Sequence, residues 1–350
     1  MATILDVARI AGVSASSVSN FLNDRHAKMT PATLERIRSA VAELGYKPSS
    51  AARQLKTGHS AVIGLLVPSV ANPFFGEIAT AIQHAAQARG HQVILCNTYR
   101  DPQRETEFAE ELAAFGVRGI ITGSSLLNPR HLSGLAAKGL AIVAFEGNAA
   151  LSAAQGITVV STDNALATTL AVDHLVGLGH RHIAYVTGPL QTAARAARLN
   201  GFRTAARRHG LDGHVHEISL PPNEFGDDMI AELGIDAGLT IARLQQRPTG
   251  VIAMNDLLAI GLAAGLREQG LAIPDDISLV GIDDLFLARL MNPPMTSVRQ
   301  PLSAMAHAAI DCLVDAMGQA QPVQSRIFPP ELIVRQSTAP TMPRKPNGRG

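Results

Sequence analysis

The sequence predicts two parts of different class: a small all-α helix-turn-helix headpiece, then a larger α/β body whose parallel sheets are divided between two subdomains. Three observations carry this. Helix start and stop signals crowd the first sixty residues around a glycine turn; short apolar runs alternate with helix-length amphipathic stretches from residue 61 onward; and charge is spread unevenly along the chain. Residues 1–60 hold eight Lys/Arg against four Asp/Glu and residues 338–350 three against none, which leaves 19 bases against 25 acids between them. The net +1 of 350 residues is therefore a basic head and tail on an acidic body, a pattern that makes nucleic acid a candidate partner.

Composition excludes several classes. With 46% hydrophobic and 17% charged residues, and Gly and Pro scattered, the chain is neither disordered nor fibrous. Cys96 and Cys312 stand far apart without a CxxC, so neither a disulfide scaffold nor a cysteine zinc site is supported, and both are expected in the core. The start, MATILDVARIAGVS, lacks a basic segment leading into an apolar one, and no apolar run approaches the roughly 18 residues that cross a bilayer. A cytoplasmic protein without a membrane partner is expected.

In the head, Thr3 and Asp6 have capping-box spacing, so a helix should begin there with Ile4, Val7, Ala8 and Ala11 on one face, and Gly12 should end it. Ser14 is a good N-cap for a second helix over residues 15–21 that buries Val18 with Phe21 or Leu22. Thr30-Pro31 opens a third, with Leu34, Ile37, Val41 and Leu44 at helical spacing and Gly45 at its close. Two short helices joined by a glycine turn make a helix-turn-helix. Ala15, Ser16, Ser19 and Asn20 are then left outside, where side chains of such a helix reach base edges in the major groove. Asn20 suits a bidentate bond to adenine, Ser16 suits several bases, and the Ala15 methyl suits a thymine methyl. On the residues alone, the same short polar side chains would equally cap and solvate a small helical domain.

The runs TILDVARIAGVSASSVSNFLND and TPATLERIRSAVAELGYKPSSAARQLKTG make the likeness specific. They resemble the headpiece and hinge of the lactose-repressor/galactose-repressor family of bacterial transcription regulators, matching every fixed position of T-x-x-D-V-A-x-x-A-G-V-S-x-x-[TS]-V-S-x-x-L-N and G-Y-x-P-x-x-x-A-x-x-L between Thr3 and Leu55. The resemblance implies that Ala15, Ser16 and Asn20 read bases, with Thr3, Ser17 and Ser19 also at the DNA; many relatives carry Arg where this chain has Asn20. Residues 48–57 resemble the family's hinge. There Leu55 beside Arg53 and Lys56 suits a wedge in the minor groove flanked by phosphate-binding cations, or else a plain linker whose leucine packs on its neighbour.

In the body, strands are expected at 62–67, 92–96, 119–122, 142–145, 157–161, 183–187, 250–254 and 278–282, with helices at 75–89, 105–115, 165–178, 194–209, 228–245, 257–269 and 302–317. About 280 such residues exceed one comfortable sheet. Two α/β subdomains with a ligand cleft beyond the strands' carboxyl ends follow. No GxGxxG, GxxxxGK[ST], GxSxG or HExxH occurs, so no enzyme or cofactor reading gains support. His180 with His182 and His214 with His216 read as loop and strand-edge histidines rather than metal ligands, and Asp275-Asp276 and Asp283-Asp284 lack a partner marking them as acid and base. Strand ends instead offer recognition chemistry: Asn72-Pro73-Phe74-Phe75, Asn255-Asp256 and Asp283 suit a polyhydroxylated or planar ligand, although Phe74 and Phe75 could be core and Asn255-Asp256 a cap.

Here too a resemblance decides. SVANPFF, STDN, GLGHRHIAYVTGP, ARLNGF, MNDLLAIG, IPDDISLVGIDD and PPMTSVRQP match, in order, the same family's effector domain and the related periplasmic sugar-binding fold, so the likeness spans about residues 3–339. It implies that Phe74 and Phe75 touch an effector, that Arg198 pairs with its polar groups, and that Asn255, Asp283 and Gln300 bond it. The chain departs at Glu146-Gly147, where sugar binders often have Asp-Arg, and at Thr192, where the purine-responsive type has Arg.

The implied domains are a headpiece (1–47), a hinge (48–60), an effector-binding and dimerisation domain (61–339) and a disordered tail (340–350). No leucine heptads follow residue 320, so a homodimer on pseudo-palindromic double-stranded operator DNA is expected. The function implied is a ligand-responsive repressor answering to a sugar or sugar derivative, with no enzymatic activity, cofactor or metal. The alternative is a solute-binding protein of the same body fold.

Overall fold

The structure is a computed structural model that describes residues 2–22, 25, 29–46, 61–220, 229–318 and 324–341. The chain divides into two compact units, residues 1–60 and 61–350.

The first unit holds α1 (Ile4–Ala11), α2 (Ala15–Leu22) and α3 (Pro31–Glu43). Both halves of the capping box form: the Asp6 amide donates to Thr3 Oγ1 at 3.3 Å and the Thr3 amide to Asp6 Oδ2 at 2.9 Å. Those bonds from Thr3 hold the Asp6 carboxyl below its ordinary value. Gly12 ends α1 at φ 61°, a left-handed conformation that suits glycine. Ser14 Oγ accepts from the Ser17 amide at 3.2 Å and Thr30 Oγ1 from the Thr33 amide at 3.2 Å. Val7, Ala8, Ala11, Val18, Ile37 and Ala40 form the buried core.

In the second unit, the strands among the described residues are β1 (Val62–Val67), β2 (Gln92–Asn97), β3 (Gly119–Thr122), β4 (Ala141–Phe145), β5 (Thr158–Thr162), β6 (Ile183–Thr187), β7 (Val215–Ser219), β8 (Gly250–Ala253), β9 (Ser278–Asp283), β10 (Thr296–Arg299), β11 (Arg326–Phe328) and β12 (Glu331–Ile333). They form two sheets, in the orders β11-β5-β4-β3-β1-β2 and β12-β10-β9-β8-β6-β7. All pairings are parallel except β12 on β10, so the expected parallel architecture carries one antiparallel edge.

The helices between are α4 (Pro73–Ala88), α5 (Pro102–Ala114), α6 (Ser133–Ala137), α7 (Ala149–Ala153), α8 (Asn164–Gly177), α9 (Ala193–Arg208), α10 (Ile230–Ala242), α11 (Asp256–Glu268), α12 (Phe286–Leu290) and α13 (Leu302–Gly318). The chain passes from the first sheet to the second after β5, returns through α13 to β11, and crosses again into β12. Apolar clusters cover both faces of the first sheet, and a third runs through the second subdomain. Cys312 lies in the first subdomain's core, whereas Cys96 is only half-buried on edge strand β2.

Helices α10 and α11 approach backbone to backbone. A Cβ on Gly261 would stand 1.8 Å from the Ala231 carbonyl oxygen, one on Gly265 2.2 Å from that of Ile235, and one on Gly234 2.4 Å from that of Leu258. Only glycine permits that approach.

β7, β10, β11 and β12 were not among the expected strands. β11 and β12 are three residues each, and all four carry polar residues among the apolar ones, because β7, β11 and β12 are sheet edges and β10 ends beside the cleft. The Thr341 amide donates to the Leu178 carbonyl at 3.0 Å, so the chain stays on the body to residue 341; the remainder of the expected tail lies outside the described residues.

Candidate functional site

The carboxyl ends of both sheets meet at one narrow cavity of about 60 Å³. The first subdomain contributes Asn72, Phe74 and Phe75 after β1, Arg100 after β2, Ser125 after β3 and Glu146 after β4. The second contributes Thr192, Arg195 and Arg198 after β6, Asn255 after β8 and Asp283 at the end of β9.

Five of the six expected effector residues therefore line one space, and Gln300 stands directly behind it. Asn72 caps α4 by accepting from the Phe74 amide at 3.1 Å, which sets the two phenyl rings at its first turn, edge to face at 5.3 Å. Phe74 stays half-buried while Phe75 belongs to the core, and both line the cavity. Asn255 lines the cavity, and its Oδ1 also caps α11 by accepting from the Leu258 amide at 2.9 Å.

The polar groups are linked into one network. Arg198 is buried; its Nε donates to Asn164 Oδ1 at 2.7 Å, Nη1 to the Met254 carbonyl at 2.5 Å, and Nη2 lies 3.7 Å from Asp283 Oδ1. Gln300 Nε2 donates to the same Asp283 oxygen at 2.7 Å, and Thr162 Oγ1 donates to Gln300 Oε1 at 2.7 Å. Glu146 accepts from the Thr162 amide at 2.8 Å, from Ser161 Oγ at 3.0 Å and from Asn164 Nδ2. Asn164 thus couples the carboxylate of one subdomain to the guanidinium of the other.

Burial drives the Asp283 carboxyl up to about 7, with Glu146 and Glu77 adding to the rise while Arg198 and the Gln300 amide oppose it. Behind it, Asp256 accepts from Ser297 Oγ at 2.6 Å and from the Leu285 amide at 2.7 Å; burial, with Asp283 nearby, lifts its carboxyl well above the ordinary range. Asp284 accepts from Arg299 Nε at 2.8 Å and from Arg335 Nη2. That layer fixes the strand end that presents Asp283.

Sequence reasoning passed over Arg100, Ser125, Asn164 and Arg195, named Asn72 only within its strand-end run, and treated Glu146 and Thr192 only as departures. The backbone marks several of them. Among the described residues, the non-glycine positions with positive φ are Tyr99 (53°), Arg100 (59°), Ser125 (54°), Glu146 (69°), Asp283 (120°) and Asp284 (54°). Four line the cavity and the other two are chain neighbours of those four. Strained backbone is concentrated where loops turn side chains into the cleft.

Of the four histidines singled out above, three have protein contacts in the structure. His180 is buried, its ring nitrogens bonded to Thr249 Oγ1 at 2.9 Å and the Ala339 carbonyl at 3.1 Å, and burial lowers its basicity. His182 and His214 pack edge to face at 4.8 Å.

In the first unit, Ser16 and Asn20 are exposed on α2 and Thr3 is exposed at the start of α1. Ser16 Oγ and Ser17 Oγ each bond Ser14 Oγ, at 2.8 and 2.9 Å, and Ser17 and Ser19 are half-buried. Ala15 corrects the expectation of a free side chain: it is half-buried and packs against the headpiece core, because the first residue of so short a helix can lean inward as well as toward solvent. Arg53, Leu55 and Lys56, and the whole expected hinge over 48–60, lie outside the described residues.

Comparison with known proteins gives the relationship. Residues 3–49 match the family described as "Bacterial regulatory proteins, lacI family", and residues 172–338 match the "Periplasmic binding protein-like domain". The ribose operon repressor of Escherichia coli K12 is 32% identical, over 97% of this chain and 100% of its own length. A solved structure of the lac repressor dimer bound to operator and the anti-inducer ONPF superposes with a TM-score of 0.83 at 28% identity, covering 97% of this chain and 99% of that one. A LacI family transcriptional regulator from Enterococcus faecium with bound ribose superposes with a TM-score of 0.70 at 27% identity, over 80% of this chain and 100% of that one. With a relative this similar along its full length, and with the headpiece match in the same chain, this protein belongs to the lacI family of bacterial regulatory proteins.

Proposed function

We propose that the chain is a sequence-specific DNA-binding repressor whose operator affinity is set by a small polyhydroxylated effector, a sugar or sugar derivative, held between the two sheets. The observation that carries this reading is the buried network of Glu146, Asn164, Arg198, Asp283 and Gln300 at the cavity wall. Planar groups already fixed by one another present forked donors and acceptors without reorganising, which suits hydroxyls, and Phe74 offers a ring for the apolar face of a sugar. Phe74, Phe75, Arg198, Asn255 and Asp283 contact the effector in this reading, and Gln300 acts through Asp283. The effector leaves unchanged, since the cavity's acids are engaged in holding the wall rather than poised on a reacting group.

In the headpiece, Ser16 and Asn20 read base edges from the exposed side of α2, the Ala15 methyl meets a thymine methyl from its half-buried position, and Thr3, Ser17 and Ser19 contact the backbone beside them. Arg53 and Lys56 neutralise phosphate while Leu55 wedges a base step. A second copy of the chain covers the first sheet's edge, where β2 exposes Ile94 and Leu95; an apolar edge strand of this kind invites association unless a partner covers it. Two headpieces would then read two half-sites.

Binding-site selection from random duplexes with the full chain, followed by titration of sugars, sugar phosphates, nucleobases and organic acids against the selected operator, tests the reading. One class of ligand should raise the thermal unfolding temperature and shift operator affinity together, by a coupling of about 1–3 kcal/mol. A chain that selects no sequence, or turns over a ligand steadily, would overturn it.

A further inference from the structure

We propose that the loop after β3, residues 123–128, is a clasp that locks the effector cleft shut, and that Ser125 is its positioning residue. The clasp is rooted in one subdomain. Buried Glu105 on α5 accepts from Thr122 Oγ1 at 2.6 Å and bonds His131 Nε2 at 2.7 Å, while Arg100 Nη1 donates to the Ser124 carbonyl. Both ends of the loop are therefore tied to the first sheet's layer.

Its tip belongs to the other subdomain. The Ala193 amide donates to the Ser125 carbonyl at 2.8 Å and the Ala194 amide to Ser125 Oγ at 3.3 Å. Leu126 and Thr192 form an antiparallel bridge, and the Leu127 amide donates to the Gln191 carbonyl at 3.4 Å. The first amides of a helix have no partner within it. Thr192 serves one of them on α9, accepting from the Arg195 amide at 3.2 Å, and Ser125 serves two more, those of Ala193 and Ala194, from across the cleft. The start of α9 is thus completed only while the subdomains are closed. Ser125 makes both bonds by holding φ at 54°, so its carbonyl and hydroxyl turn toward the same helix end. Ser125, Thr192 and Ala194 also line the cavity, which puts the clasp in the wall of the site. A ligand bridging the two subdomains and the clasp then favour the same closed state.

This inference rests on the cavity being the effector site, but its test needs no ligand. Amide hydrogen exchange is followed on the ligand-free full chain and on Ser125→Gly and Ser125→Val. Glycine keeps the left-handed turn and the carbonyl bond but loses the hydroxyl, so exchange should rise severalfold at Ala194 and stay unchanged at Ala193. Valine is β-branched and loses both, so exchange at Ala193, Ala194 and Leu127 should rise at least tenfold, while core amides such as those of Val143 and Ile252 keep their protection. At a second contact between the subdomains the Phe286 amide donates to Glu77 Oε1 at 3.3 Å, and it should also exchange faster in Ser125→Val if releasing the clasp opens the cleft. Fast exchange at Ala193 and Ala194 in the unaltered chain, or an unmoved Phe286 amide in Ser125→Val, would overturn the clasp. If valine prevents folding, the glycine variant still decides, because equal effects at Ala193 and Ala194 contradict the two separate bonds. A ligand panel in which nothing binds would instead defeat the effector reading and leave these exchange rates standing.

Discussion

Replacing Asp283 with Asn should change how stability depends on pH. The wild-type carboxyl is buried and held up to about 7, against an ordinary value of 3.8. The folded chain therefore grips this proton more tightly than the unfolded chain does. The group favours folding fully below the unfolded value and loses that contribution as pH rises through the folded one. At about 1.4 kcal/mol per unit, the two units between pH 5 and pH 7 amount to about 3 kcal/mol. Above the folded value both states are ionised and the loss levels off. Asparagine keeps an oxygen for Gln300 Nε2, now 2.7 Å from Asp283 Oδ1, but cannot ionise. It also removes the carboxylate 3.7 Å from Arg198 Nη2, although Arg198 keeps its bonds to Asn164 and the Met254 carbonyl, so the readout is the pH trend rather than stability at one pH. Urea unfolding of both proteins from pH 5 to pH 8.5 should show Asp283→Asn gaining about 3 kcal/mol relative to wild type before the difference flattens. Parallel curves would mean that Asp283 ionises normally and that its desolvation is not the dominant influence.

Three further outcomes are expected. Gly261→Ala adds a methyl 1.8 Å from a backbone oxygen that has no rotamer to escape into, so despite better helix propensity it should destabilise the body by about 2–3 kcal/mol and lower Tm by roughly 4–10 °C; calorimetry showing an unchanged or higher Tm would contradict the backbone contact between α10 and α11. Glu146→Gln leaves Asn164 Nδ2 facing a group that donates as well as accepts, so it should turn Asn164 away from Arg198 and raise the effector dose for half-response about tenfold with operator affinity unchanged; an identical dose–response curve would remove Glu146 from the site. Asn20→Ala should relax the preference at one base pair per half-site by about 1–3 kcal/mol, and an unaltered selection profile would take Asn20 out of base reading.

Elements buried on both faces were legible, because the sequence spells them in runs that allow few alternatives. Val62–Val67 is continuous and apolar, and it is a central strand with neighbours on either side. Gln92–Asn97 was found from the same kind of run although it lies at an edge with Ile94 and Leu95 exposed; there the apolar residues mark a surface, which pattern alone does not separate from a core. Arg326–Phe328 and Glu331–Ile333 were not legible, since three-residue strands at sheet edges are set by the strand they join rather than by their own side chains. Ala15 was misjudged for a related reason: an eight-residue helix has too few turns for period alone to say which way its first residue leans.

Site residues followed a different rule. Phe74, Phe75, Arg198, Asn255, Asp283 and Gln300 came from matched motifs, and they are the residues whose side chains form or back the wall. Ser125 was invisible, and Glu146 stood out only as a departure from a family pattern, because their contribution is made by the backbone as much as by the side chain: each sits at positive φ just beyond a strand, and neither Glu nor Ser advertises that conformation as glycine would. Such a turn persists only where the surroundings hold it, here the Thr162 amide and Asn164 for Glu146 and the two α9 amides for Ser125. Those partners are 16 and 18 residues away for Glu146 and at least 68 for Ser125, the latter on the other subdomain. Motif spacing can therefore find residues that line the cleft, while those that tie one side of it to the other emerge only once two distant strand ends have been brought face to face.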